Sequence, residues 1–333
     1  MAAVVTLGAA LVRSQDTAAP AGPTLASIRA RGELACGVNQ DLYGFGYLDP
    51  NTGEISGFDV DFCRALAVAT LGDIEGATLN LHTVESGEAA LISGDIDILL
   101  HNVSDTLSQD VSGQLDFGPP NFYSGQTIMV AGDSGLDTWD ALAGKIVCTT
   151  IANAATLASA MAQRGIEYEA LPLETVDAAQ EAFVAGRCDA NVADWVTLSA
   201  QRYESDTPFA YIIWEDPFTI EPLAPVYRYG DEQWADIVEW TFYGLVRAEE
   251  LGVTSENIDE LDQSSDNPEI VVLLNSGEPL GLAEDYLVEV IRQVGNYGEI
   301  FERHLGDNTP LRLPRGLNAL WRDGGMMYAP RWG

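Results

Sequence analysis

The chain has 333 residues, too many for one compact core, so two domains are expected. Its 51 aspartates and glutamates against 16 lysines and arginines give a net charge of −35, which disfavours nucleic acid and anionic membranes as partners. Apolar residues make up 47% and charged ones only 20%, so the chain is globular and its acidity is a shortage of cations, with Lys145 the single lysine. Two settings fit that balance: a high-salt, halophilic habitat in which screening tames self-repulsion, and the ordinary acidity of an exported protein.

In chain order, residues 2–12 form an apolar run too short to cross a bilayer but suited to the core of a secretory signal. Arg13 and an Ala-Pro-rich stretch follow, so residues 1–23 are expected to be signal and linker, and the protein periplasmic or otherwise exported. Four cysteines, Cys36, Cys63, Cys148 and Cys188, agree with an oxidising compartment. They contain no C-x-x-C pair and are joined by only three histidines, so neither a metal site nor any cofactor is expected. Three pairings are possible. Cys36–Cys63 with Cys148–Cys188 is favoured, because each bond then stays within one half of the chain, contributing roughly 3–4 kcal/mol in the chain-entropy model.

From Thr24 strands alternate with helices, the pattern of an α/β sheet. A short helix stops at Gly32 and a strand covers residues 34–38. A glycine-rich loop then carries Tyr43, Phe45 and Tyr47, and a helix over 62–71 has Asp59 placed to cap it. Strand 78–84 and helix 87–92 lead to Gly94, a left-handed stop, and to the short apolar strand 96–100. Past that strand the chain turns polar at once: His101, Asn102, Ser104, Asp105, Thr106, Ser108, Gln109. In open α/β sheets ligands bind beyond the carboxyl ends of the strands, which makes this stretch the first site candidate. After a strand at 126–131, a second run repeats the arrangement: strands 145–149, 168–172 and 189–192, with helices 154–164, 176–185 and 195–203. The remainder from Gln233 is mostly helical.

Several motifs carry a family likeness. Cys36-Gly-Val-Asn, Gly57-Phe-Asp-Val-Asp-Phe-Cys-Arg64, Ser93-Gly-Asp-Ile-Asp97 and Gly186-Arg-Cys-Asp189 resemble the solute-binding proteins of amino-acid ABC importers. Val294-Gly-Asn-Tyr-Gly-Glu-Ile-Phe-Glu-Arg303 and Arg315-Gly-Leu-Asn-Ala-Leu-Trp321 resemble the branch that binds general L-amino acids. The likeness covers residues 24–330. It implies a two-lobed periplasmic binding protein fold of class II type, two α/β sheets joined by a two-segment hinge, with a ligand enclosed by hinge motion. Lobe 1 is expected over 24–130 plus 226–333 and lobe 2 over 131–225, with hinges near 129–133 and 222–227. The implied activity is capture of a small polar solute, an amino acid or related amine, by a monomer that hands it to an ABC permease.

In that family an arginine in a Thr-x-x-Arg motif and a Gly-Thr-Thr turn hold the ligand's α-carboxylate, and an aspartate of the second lobe takes the ammonium. The aspartate matches Asp194, in Ala190-Asn-Val-Ala-Asp-Trp195. The carboxylate handles do not match. Thr106-Leu-Ser-Gln109 places glutamine at the arginine's position, Ala152-Asn153-Ala154 replaces the turn, and His101 stands where the branch tends to carry another arginine. Exchanging a bidentate guanidinium for an amide costs a carboxylate ligand on the order of 2–4 kcal/mol, about thirty- to a thousandfold in affinity. Between Arg64 and Arg164 the only lysine or arginine is Lys145, leaving Arg228 or a protonated His101 as substitutes from elsewhere in the fold.

The ligand-binding set expected is therefore Tyr43, Phe45, His101, Asn102, Ser104, Thr106, Gln109, Asn153 and Asp194. Asp105, Asp41 and Trp195 are further candidates, in a site that favours an amine or other cation. Two other classes are open. A dehydratase-like enzyme on the same fold would pair His101 with Asp105 or Glu88, although no nucleophile motif accompanies them. A receptor or scaffold with altered or lost ligand specificity is the other.

Overall fold

The structure, a computed structural model, describes residues 22–111, 113–205 and 207–332, so the signal expected over residues 1–23 lies almost wholly outside them. Helix α1 (Pro23–Arg31) leads into β1 (Leu34–Val38), whose residues are all buried. Three short strands, β2 (Asp41–Leu42), β3 (Gly46–Leu48) and β4 (Ile55–Ser56), then form a small separate sheet. Gly57, at φ 145°, opens α2 (Phe58–Leu71); a Cβ there would meet the Phe45 carbonyl oxygen at 2.1 Å. Asp59 lies inside the helix's first turn, buried against Asn121, and is not the cap expected of it, because Gly57 already occupies that position.

Strand β5 (Ala77–Leu81), helix α3 (Val84–Ser93), strand β6 (Ile98–Leu100), the single turn α4 (Leu107–Asp110) and strand β7 (Leu115–Phe117) continue the first lobe. Thr83 and Ser86 make a capping box at the start of α3, which fixes residue 84 as helix where sequence placed strand. Strand β8 (Phe122–Ser124) then leaves the lobe, and β9 (Gln126–Ala131) already belongs to a second sheet.

That second sheet adds β10 (Ile146–Thr150), α5 (Ala154–Gln163), β11 (Glu169–Leu173), α6 (Val176–Val184), β12 (Ala190–Asp194), α7 (Trp195–Glu204) and β13 (Tyr211–Ile213). Strand β14 (Glu221–Leu223) returns the chain, and β15 (Val226–Arg228) re-enters the first sheet. Helices α8 (Glu232–Leu251), α9 (Ile258–Ser264), α10 (Pro268–Leu274), α11 (Tyr286–Gln293) and α12 (Tyr297–His304) complete the fold.

The first sheet has the order β5-β1-β6-β15-β7 and the second β11-β10-β12-β9-β13. In each sheet the first three strands are parallel, the fourth runs antiparallel to them and the fifth antiparallel to the fourth, so the sheets repeat one plan. The two crossings, β8 and β14, pair with each other, Ser124 opposite Glu221. The first lobe was expected to end at residue 130, but Gln126 to Ala131 are hydrogen-bonded to β12 and β13, so the first crossing lies earlier, at residues 122–125. Disulfides Cys36–Cys63 and Cys148–Cys188 are both formed, tying β1 to α2 and β10 to the turn after α6.

Two buried carboxylates hold the first lobe together. Asp61 of α2 accepts from Arg64 at 2.9 Å, from His304 at 2.7 Å and from Arg303. Those partners keep its carboxyl below the usual range despite burial. Asp97 pairs with Arg31, accepts from the Ala35 amide at 3.0 Å and lies 3.7 Å from Arg228. Asp97 precedes β6, so this cluster sits at the strands' amino ends, opposite the polar stretch that follows Leu100. Among the described residues, no helix is long and apolar enough to cross a membrane.

Candidate functional site

The carboxyl ends of β6 and β12 come together at the two crossings, which is where a two-lobed fold puts its ligand cleft. Asp194 closes β12 and caps α7, its Oδ1 accepting from the Val196 amide at 2.9 Å. Its Oδ2 accepts from the Ser124 hydroxyl of the first crossing at 2.7 Å. Burial, opposed by the Ser124 bond and reinforced by the charge of Glu221, pushes the Asp194 carboxyl up to about 6. Glu221, from the second crossing, lies 3.4 Å from the Ser104 hydroxyl. Ser104 forms a bridge with Leu223 and so belongs to the cleft's hinge side.

At the other side, Thr106 donates from Oγ1 to Gln109 Oε1 at 3.0 Å, and Gln109 donates from Nε2 to Glu88 Oε1 at 3.0 Å. The amide at the expected arginine position is therefore held by a carboxylate from α3. Asn102, two residues past the end of β6, stands at φ 52°, a left-handed conformation that asparagine tolerates, and both of its side-chain amide atoms are buried without a partner. Asn153 precedes α5 without a side-chain cap bond.

Other expected residues fall elsewhere. Phe45 is 0% exposed and packs edge-on against Phe58 and Phe122, so it is core and offers no ring to a ligand. Trp195 is likewise buried beside Phe122. Tyr43 stacks on Tyr203 of α7 at 3.9 Å, so its ring joins the lobes, and burial raises its hydroxyl to about 12. His101 is 7% exposed and donates from Nε2 to the His82 carbonyl at 2.7 Å. Glu88 is bonded to Gln109, and among the described residues neither Glu88 nor Asp105 is hydrogen-bonded to His101. Asp105 is exposed at the rim, its carboxyl raised by burial and by Asp110 and Asp116. Asp41 is exposed on β2. Arg228 donates to the carbonyls of Leu91 and Ile96 at the far end of the sheet, and so cannot replace the missing cation. Glu221 escaped sequence reasoning; its only local signal is the Pro-rich turn that follows it.

Two sheets of one plan, crossed twice and meeting at a polar cleft, define a two-lobed binding protein. The chain belongs to the bacterial extracellular solute-binding proteins, family 3, whose match runs over residues 34–307. It is similar to the general L-amino acid-binding periplasmic protein AapJ of Rhizobium johnstonii, 39% identical over 335 residues, covering 97% of this chain and 96% of that one. It is also similar to the glutamate/glutamine/aspartate/asparagine-binding protein BztA of Rhodobacter capsulatus, 39% identical over 318 residues and 94% of each chain. A periplasmic binding protein from Brucella ovis, solved with glutathione bound, superposes with a TM-score of 0.82 at 38% identity, over 93% of this chain and 99% of that one. The chain is accordingly an extracytoplasmic binding protein and not an enzyme.

Proposed function

We propose that the protein captures an amino acid or related small amine in the cleft between its lobes and delivers it to an ABC import permease. The observation that carries this reading is Asp194: a half-buried carboxylate at the hinge, oriented by Ser124 and by the start of α7, and in no ion pair among the described residues. An ammonium group satisfies such a carboxylate by charge-assisted hydrogen bonds, which are about twice as strong as neutral ones. The relatives bind amino acids by name, and the glutathione of the Brucella ovis structure is itself a small amine-bearing solute. Tyr43, Asn102, Ser104, Thr106, Gln109 and Asn153 belong to this reading as walls of the cleft, with Glu221 added.

The test is a thermal-shift screen of the purified protein against amino acids and amines, in low and high salt. A true ligand at a hundred times its dissociation constant adds about 2.7 kcal/mol and raises the melting midpoint. If no amine-bearing solute shifts the midpoint, this reading is wrong.

A further inference from the structure

The cleft departs from a zwitterion's needs at the end opposite Asp194. Resting on the reading just given, we propose that the solute is cationic at both ends and carries no carboxylate, the class of a short α,ω-diamine. The hinge pole is formed by Asp194 and Glu221, which face each other across Ser124 and Ser104. The second pole is formed by Glu88, bonded to Gln109 at 3.0 Å, with Thr106 completing the chain of contacts.

A second observation points the same way. Gln126 is the cross-strand neighbour of Asp194, so the two side chains share one face of the second sheet. It is 5% exposed, and its Oε1, an acceptor, is buried without a partner. An ammonium carries three donors and no acceptor. Asp194, Glu221 and the Gln126 carbonyl together offer it acceptors alone.

The spacing suits a small solute. Ser104, which touches the hinge pole, and Thr106, which touches the other, are two residues apart, about 7 Å along extended chain. Among the described residues, no lysine or arginine is bonded to either pole. Glu88, Asp105, Asp194 and Glu221 form no ion pair among the described residues, while Arg64, Arg228 and Arg315 are each engaged with a carboxylate elsewhere. Arg202, on a cleft helix, stands two turns beyond Asp194 and donates to the Leu311 carbonyl at 2.9 Å. A carboxylate seated beside Gln109 would therefore meet Glu88 with nothing to neutralise either.

Matched pairs that differ only by one carboxylate test this by isothermal titration calorimetry: putrescine against ornithine, and cadaverine against lysine. The expected result is that each diamine binds at least tenfold more tightly than its amino acid, and that Glu88→Gln weakens diamine binding at least tenfold. In a Gln109→Arg, Glu88→Gln double variant the preference is expected to reverse. Should ornithine or lysine bind the wild type as tightly as its diamine, the inference falls while the receptor reading stands. Should other amino acids bind and all four of these probes fail, the inference falls in the same way. If no amine-bearing solute binds at all, both fall. Should the variants not fold, the wild-type pairs alone decide, because they need no substitution.

Discussion

Structural acids and cleft acids keep different company. Asp61, in the first turn of α2, and Asp97, just ahead of β6, are deeply buried and surrounded by Arg64, Arg303, His304, Arg31 and Arg228. At the cleft, Asp194, Glu221 and Glu88 have hydroxyls, amides and one another for company. A chain with only sixteen strong cations has placed five of its basic side chains, one of them a histidine, on two structural acids and left these three cleft acids without one. The first group of acids ties α2 to α12 and the start of β6 to α1 and β15. The second is available to something brought in from outside.

Breaking the structural group has the largest expected effect. Asp61→Asn leaves three basic groups facing a neutral amide, and the loss of a buried partner of this kind costs about 3–5 kcal/mol. Chemical denaturation should show it, with ligand affinity of the surviving folded protein unchanged. Asp194→Asn keeps an acceptable cap for α7 but removes the charge. Affinity for an amine ligand is expected to fall by thirty- to a thousandfold, about 2–4 kcal/mol, in calorimetry.

A pH series separates the groups further. Asp194 has its carboxyl raised to about 6 from an ordinary 3.8, so amine affinity is expected to weaken about tenfold per pH unit below 6. The stability of the empty protein runs the other way. A carboxyl whose folded value is raised contributes fully below its unfolded value near 3.8, and that contribution is lost as pH rises through about 6. The melting midpoint of Asp194→Asn should therefore gain on wild type between pH 4 and 6 and keep a constant lead above. Asp59 behaves alike, burial holding it at about 7. Asp61, whose value is lowered, instead loses its contribution as pH falls. The smallest effect is that of Glu221→Gln, which removes a charge that raises Asp194 and should move the midpoint of the affinity curve below 6.

Much of this was legible in the sequence because the signals are local. The buried strand before His101, the glycine stops and the helices after β10 and β12 follow from short-range pattern, and both disulfides from keeping each half to itself. What failed depends on distant partners. The strand at residues 126–131 reads as an apolar strand wherever it pairs, so its membership of the second sheet, and hence the hinge, was misplaced. Phe45 sits among glycines in a loop, where no periodicity reveals that Phe58 and Phe122, from other elements, pack against it. Asp59 has a cap's spacing, yet the helix begins one residue before it. Asp194 was found because a motif carried it. Glu221, and the role of Glu88 beside Gln109, were not, since one acid among 51 carries no mark until the fold puts it beside a cleft.

The Tyr43–Tyr203 stack has a consequence for timing. It joins the lobes through groups outside the acidic poles, so it favours closure whether or not a solute is inside. A stacked aromatic pair contributes about 1 kcal/mol, roughly a fivefold shift in an open–closed equilibrium. The empty protein then visits its closed shape more often than the solute alone would dictate, and a captured solute waits longer before escaping. Retention is thereby set partly by two rings that do not belong to either acidic pole.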